Sequence, residues 1–353
     1  MSKIKLLTAT VAITLGTGLT PSFAVPFNTF YVDAENGADS ATCGGVSLVT
    51  PSTGPCATLN RALENAAAGQ NIVVVHGGAF GPIYLNGQIS ITGPDDKSLR
   101  IINNATAPGC IGAAPGTCAA STTAGIEVNA GSTDHIQLKN MVVSAGTAGT
   151  AAILIDGAAG VAMTDIAARG GTSTSTGAIV TATPSVGNLA LYIHNCDIAF
   201  STTMGDVLLQ PTGSAGGAIE FSGGELHHAV YGLQINANST TGSLAGAFDS
   251  SQYFGFNNSA VSVAATGSGL AHIVFSRSTI VNTGGAALKV NGANALAEVY
   301  ENVFTGDGLG VNVAGGSTVV TFGNSAIFGN GTDCAVSNVP TPCSTALTSK
   351  PLN

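Results

Sequence analysis

The chain has 353 residues, of which 8% are charged, 44% are hydrophobic and 48 are Gly; ordinary domains carry about 25% charged residues. The hydrophobic share excludes a disordered polar chain. A net charge of −9 excludes nucleic acid and anionic membranes as natural partners.

Lys3 and Lys5, then an apolar run from Leu6 to Leu19 broken only by Thr and Gly, then Ser22-Phe23-Ala24, predict a bacterial-type secretory signal peptide over 1–24. The run falls short of the roughly 20 residues needed to span a bilayer, and no later segment is apolar enough to do so. The expectation is export to the periplasm or beyond the cell. Residues 25–353 carry 8 basic and 19 acidic side chains, a balance of −11. A chain of that length exceeds a single compact core, so two domains or an elongated repeat fold is expected.

Six of the seven cysteines form pairs close in sequence, in Gly-, Pro-, Ser- and Thr-rich stretches: Cys43 with Cys56, Cys110 with Cys118, and Cys334 with Cys343. In an oxidising compartment these read as loop-closing disulfides. Cys196 lies inside a repeat and reads as a small buried hydrophobe.

Thr58 to Ala68 is an amphipathic helix, with Leu59, Ala62, Leu63 and Ala66 on one face and Gly69 as its stop. Ile72 to Val75 reads as the first buried strand, and a helix laid across it would cover an open sheet edge. Less regular strands follow at Tyr84-Leu85, Ile89 to Ile91 and Leu99 to Ile102.

A repeat then takes over. The frame apolar-x-apolar-x-polar-x-x-apolar at Ile136 to Val143 returns at Val161 to Ala168, Leu191 to Ile198, Ile219 to Leu226, Gly246 to Tyr253, Ile273 to Ile280, Ala297 to Phe304 and Val320 to Ile327. Its second positions, Leu138, Met163, Ile193, Phe221, Phe248, Phe275, Val299 and Phe322, are spaced by 25, 30, 28, 27, 27, 24 and 23 residues. Shorter alternating strands precede the frames at Ile126, Ile153, Val207, Leu233, Val261, Leu288 and Val311. None of these strands can bury its apolar face alone, but coils stacked at about 4.8 Å can. The second-position column should fill the interior, and the column of Asn140, Asp165, Asn195, Ser250 and Asn324 should turn inward at a corner as a hydrogen-bonded ladder. Parallel crossovers take the right-handed sense, and the Gly-interrupted segment 157–169 is too broken for a crossover helix. The expected fold is all-β: a single-stranded right-handed parallel β-helix, a solenoid with an N-terminal capping helix. Its divisions are an N-terminal segment at 25–71, the β-helix at 72–333 and a C-terminal cap or tail at 334–353.

The stretches Phe30-Tyr-Val-Asp-Ala-Glu-Asn-Gly-Ala-Asp-Ser, Gly54-Pro-Cys-Ala-Thr-Leu-Asn-Arg-Ala-Leu and Gly69-Gln-Asn-Ile-Val-Val-Val resemble the N-terminal module of the pectate-lyase-like right-handed β-helix superfamily. The first phrase is similar to that of polysaccharide lyase family nine. The resemblance implies the β-helix fold and, for that family, a calcium site of clustered Asp residues with a Lys base. The repeats contain no such cluster: Asp95-Asp96-Lys97, beside Gly93-Pro94, reads as a turn.

The register places outward groups in columns. One holds Tyr192, Glu220 and Glu298; its neighbour holds Lys139, His194, Asp249 and Tyr300. Tyr192, His194, Glu220 and Asp249 are the candidate catalytic residues: His or Tyr as base for elimination from a uronate, and the acidic pair as ligands for calcium. No cofactor is otherwise required. Arg277 and Glu301 read as a structural ion pair. His227 and His228 read as pointing opposite ways along a strand, which would prevent shared metal binding. Asp134-His135 reads as a loop pair. Asp33, Glu35 and Asp39 offer carboxylates around a Gly turn.

Two functions follow. One is a secreted or surface β-helix with a binding, adhesive or structural role toward polysaccharide or cell-surface glycan. The other is a polysaccharide lyase or related enzyme acting on acidic polysaccharide. The absence of Trp counts against a sugar-stacking platform and so against both glycan binding and a polysaccharide-active enzyme. The acidic balance disfavours a polyuronate unless calcium bridges the charges. The balance is toward a binding or structural role, with catalysis and oligomeric state open.

Overall fold

The computed structural model describes residues 29–45, 54–103, 108–112, 118, 123–146, 149–170, 178–201, 205–322 and 324–349. The expected signal peptide lies outside the described residues. Among the described residues no helix is long and apolar enough to cross a membrane.

Three ladders of parallel strands wind into a β-solenoid of about 9 turns. The first ladder runs through Asn188–His194, Gly216–Ser222, Ser243–Asp249, Leu270–Ser276 and Ala295–Tyr300. The second runs through Asp197–Ala199, Glu225–His227, Gln252–Phe254, Thr279–Val281 and Val303–Thr305. The third runs through Ala151–Gly157, Gly205–Leu209, Tyr231–Asn236, Ser259–Ala264, Ala286–Asn291 and Leu309–Ala314. It also includes Ala178–Ala182, a strand the repeat pattern did not single out. The Gly-interrupted 157–169 segment is strand from Gly160 to Arg169.

The interior follows the expected column. Leu138, Met163, Ile193, Phe221, Phe248, Phe275 and Val299 are register partners in succession, and all are buried. Phe275 touches the Phe248, Tyr253 and Phe304 rings at centroid distances of 6.2, 5.4 and 6.0 Å. The last frame departs from expectation. Val299 pairs with Thr321 rather than Phe322, and the corner before Ala326–Ile327 absorbs one extra residue. Phe322 instead lies edge-on to Tyr300, at 6.2 Å between ring centroids.

The polar ladder is also displaced by one position. Asn140, Asp165, Asn195, Ser250, Arg277 and Glu301 all adopt left-handed backbone, φ between 46° and 56°, and except for Asn140 their side chains turn outward. Asn, Asp and Ser hold this conformation at low cost because their short side chains bond locally. The residues that follow point inward. The Ser251 N–H donates to Ser278 Oγ at 3.1 Å, the Ser278 N–H to Asn302 Oδ1 at 3.0 Å, and the Asn302 N–H to Ser325 Oγ at 3.2 Å. Asn302 Nδ2 also donates to the Phe275 carbonyl at 2.7 Å. A bend leaves backbone donors without strand partners, and these side chains supply acceptors from the adjacent coil. A second ladder lines the next corner, where Asp307 Oδ1 accepts from the Thr283 N–H at 2.7 Å and Asn330 Oδ1 from the Asp307 N–H at 3.0 Å.

The helix expected at 58–68 spans Leu59–Asn65, with Thr58 Oγ1 capping the Arg61 N–H. It stops early because the Gly112 N–H takes the Leu63 carbonyl at 3.0 Å, the acceptor a further helical turn needs. Leu59, Ala62 and Leu63 are buried. Disulfides join Cys43 to Cys56, Cys110 to Cys118 and Cys334 to Cys343. Cys196 is free and buried, and burial pushes its thiol up to about 12.

Candidate functional site

Of the four candidate residues, the register sets Tyr192 beside Glu220. His194 and Asp249 flank Ser222 in the next outward column. His194 Nδ1 meets Ser222 Oγ at 3.1 Å. Asp249 is committed elsewhere: it accepts from Arg277 through two nitrogens, from Ser276 Oγ at 2.6 Å and from Ser250 Oγ at 3.0 Å. The Arg277 contact holds its carboxyl below the ordinary range. Arg277 therefore pairs with Asp249, one coil back, rather than with Glu301. The left-handed corner swings its side chain toward the preceding rung. Among the described residues no hydrogen bond or ion pair joins the four candidates to one another.

The Asp carboxylates of the acidic turns, which near Gly37 offered possible calcium ligands, are held by hydrogen bonds and an ion pair. Asp33 accepts from the Glu35 and Asn36 N–H groups at 3.0 and 2.9 Å and pairs with His76 at 3.1 Å. Asp39 bonds both Thr58 N–H and Oγ1. Asp134 closes its own turn on the Gly131 N–H at 2.8 Å. Asp95 accepts from Asn140 and Asp96 from the Ser98 N–H, so Asp95-Asp96-Lys97 is a turn.

A denser cluster lies across the Asn195 corner, on the outer face of the second ladder. Arg169, Ala199, His227 and Phe254 form one outward column, and Asp197 and Glu225 form the next. Arg169 pairs with Asp197 and also donates to the Asp197 carbonyl at 2.7 Å. The other Asp197 oxygen meets His227 Nε2 at 3.0 Å. His227 Nδ1 in turn faces His228 Nδ1 at 2.8 Å. This corrects the expectation that the two imidazoles diverge. The alternation rule requires extended backbone, whereas His228 has φ 58°, which folds its ring back onto its neighbour's.

Aromatic rings close around the pair. Phe254 stacks on His227 at 4.6 Å, Phe200 stacks on His228 at 5.4 Å, and the Arg169 guanidinium lies 5.7 Å from the Phe200 centroid. His227 is thereby buried, while Phe200 remains 54% exposed. Phe200, like His228, is left-handed, with φ 69°. Burial alone would raise the Asp197 carboxyl, but the Arg169 bond and charge, followed by His227, outweigh it and hold it below the ordinary range. Asp197 is thus an ionised acceptor.

Beneath this cluster sits Asp206, at 0% exposure. Neither of its oxygens finds a hydrogen-bond partner of normal geometry among the described residues. Burial drives its carboxyl well above the ordinary range; the nearby His227 backbone N–H and the Arg169 charge oppose this, and the Asp197 charge adds to it. Burial thus favours its neutral form, the common response of an unpaired buried acid.

The sequence reading missed this cluster because it followed the frame and not the position after it. That position reads Phe200, His228, Gly255, Asn282, Gly306 and Gly329, all left-handed. A Phe and a His in a column otherwise held by Gly and Asn was the available signal. No protein-family model matches the chain, and no curated protein matches its sequence.

Proposed function

We propose that the protein is a secreted or surface β-helix that binds glycans, with the patch around Phe200 as its contact surface. The observation that carries this reading is the Phe200 ring, 54% exposed although His228 stacks on it and the Arg169 guanidinium lies over it, with Asp197 and Glu225 in the adjoining outward column. The apolar face of a sugar packs against such a ring, while its hydroxyls bond to the carboxylates and imidazoles around it. The solenoid at 72–333 serves in this reading as a rigid support, with 25–71, including its helix, and 334–353 protecting its two ends.

Affinity electrophoresis through gels containing neutral or acidic polysaccharides tests the proposal. Wild type should be retarded by at least one of them, and Phe200→Ala should weaken its retention constant about tenfold, or 1.4 kcal/mol. Equal retardation of the variant would remove Phe200 from the interface. Passage unhindered through every gel would leave a purely structural role. Polygalacturonate and alginate with calcium belong in the same panel. Absorbance from unsaturated uronates would transfer support to the lyase reading, with Tyr192, His194 and Glu220 as the groups to test.

A further inference from the structure

We propose that His228 is a general base that activates water to hydrolyse ester substituents, such as O-acetyl groups, on a glycan held against Phe200. The proposal rests on the glycan-binding reading and adds a reaction to it.

With both imidazoles neutral, hydrogen-bond logic places the protons in the chain Arg169–Asp197–His227–His228. An ionised carboxylate only accepts, so His227 must donate to Asp197 from Nε2. A neutral His227 then has a bare Nδ1, so the 2.8 Å contact between the rings requires His228 to donate from its own Nδ1. The ring centroids stand 5.0 Å apart, the separation of two nitrogens facing each other nearly in line, as a hydrogen bond prefers. In this tautomer His228 Nε2 carries a free lone pair. His228 is exposed, and its neighbour on the next coil is Gly255, where an added Cβ would lie 3.6 Å from Nε2; the glycine leaves that edge of the ring open. The chain also holds the ring in place: His227 anchors Nδ1 of His228, and Asp197 anchors His227. This is the arrangement of a base oriented by a second group, itself oriented by a third.

The surroundings select the reaction. Glycosidic hydrolysis needs a carboxylic acid to protonate the leaving oxygen, and Asp197 is ionised and held by Arg169 and His227. Elimination from a uronate needs a free cation for the substrate carboxylate, and Arg169 is already committed to Asp197. Ester hydrolysis needs a base for water, and an uncharged ester calls for no unpaired cation to hold it before attack, so it is the reaction His228 Nε2 can serve here. As water oxygen bonds to the ester carbonyl carbon, one water proton passes to His228 Nε2. The tetrahedral intermediate then expels the sugar oxygen, which takes that proton back. The products are a free sugar hydroxyl and a carboxylic acid, and His228 returns to its starting state.

The test is acetate release from O-acetylated xylan by the full chain, compared with His228→Asn, Asp197→Asn and Phe200→Ala. Asn tolerates left-handed backbone, so His228→Asn keeps the corner, and an unchanged melting curve verifies it. Expected are acetate release by wild type and a loss of about 100-fold or more in kcat for His228→Asn. Asp197→Asn, a positioning change, should lower kcat and displace the pH profile with KM retained. Phe200→Ala should act mainly on KM. Undiminished activity in His228→Asn would overturn the assignment. Retardation in gels of the same xylan without acetate release would refute the hydrolysis alone, whereas neither retardation nor release would refute both readings.

Discussion

Phe275→Ala is expected to destabilise the protein by about 3–5 kcal/mol, the range for truncating a fully enclosed phenyl ring. Phe275 is the hub of the interior: its ring contacts those of Phe248 and Tyr253 on the preceding coil and Phe304 on the following one. Ala leaves a hole that three rings on fixed backbones cannot close, because each strand is held by its register on either side. Coils of a solenoid contact only adjacent coils, so the loss should concentrate between about residues 246 and 304. Urea unfolding measures the total, and hydrogen exchange locates it. Phe328→Ala is the control, since that ring is 55% exposed and should change stability little. A drop below about 1 kcal/mol for Phe275→Ala would mean that the stacked interior is not what holds the coils together.

Asp307→Asn is expected to stabilise the protein at neutral pH and to remove part of its pH dependence. The Asp307 carboxyl is raised from 3.8 to about 6, by burial first and against the opposing Thr283 bonds, and its Oδ2 has no partner among the described residues. A carboxyl that holds its proton more tightly when folded favours the folded state below its unfolded value. That advantage is lost as pH rises from about 4 through 6. The full shift corresponds to an upper bound of about 3 kcal/mol, and solvent screening reduces it to about 1–2 kcal/mol. Asn keeps the acceptor for the Thr283 N–H. It also adds an Nδ2 donor of the kind Asn330 directs, one coil on, at the Phe304 carbonyl. Unfolding free energies at pH 4 and pH 7 should therefore fall less for Asp307→Asn than for wild type. An identical decline in both would show that Asp307 is not the titrating group. Asp206→Asn should act in the same direction, since burial also raises that carboxyl.

The interior was legible in the sequence because each frame commits alternate residues to opposite faces and repeats them every two dozen positions. A one-residue error there would have put Phe221, Phe248 and Phe275 in water. The corners were harder to read, because no alternation constrains them. The polar ladder was placed on Asn195 and Ser250, whose residue types fit it, yet the left-handed turn sends those side chains out and gives the ladder to Ser251, Ser278 and Asn302. The final coil was misread for a related reason: Phe322 matches the column in residue type, and only the extra corner residue excludes it. The pairing of His227 with His228 was invisible to a rule that treats both as strand. The disulfides were legible from spacing and setting alone.

Because the left-handed corner after the second ladder is fixed by backbone bonds to adjacent rungs, the residue occupying it is almost irrelevant to the core. Phe200 and His228 sit where Gly255, Asn282 and Gly306 sit further along. The patch is in effect detachable: aromatic and imidazole groups transplanted one or two rungs along would reappear in the same orientation on a new stretch of the shaft. Surface chemistry can thus drift along the solenoid during evolution, leaving the apolar filling beneath it unaltered.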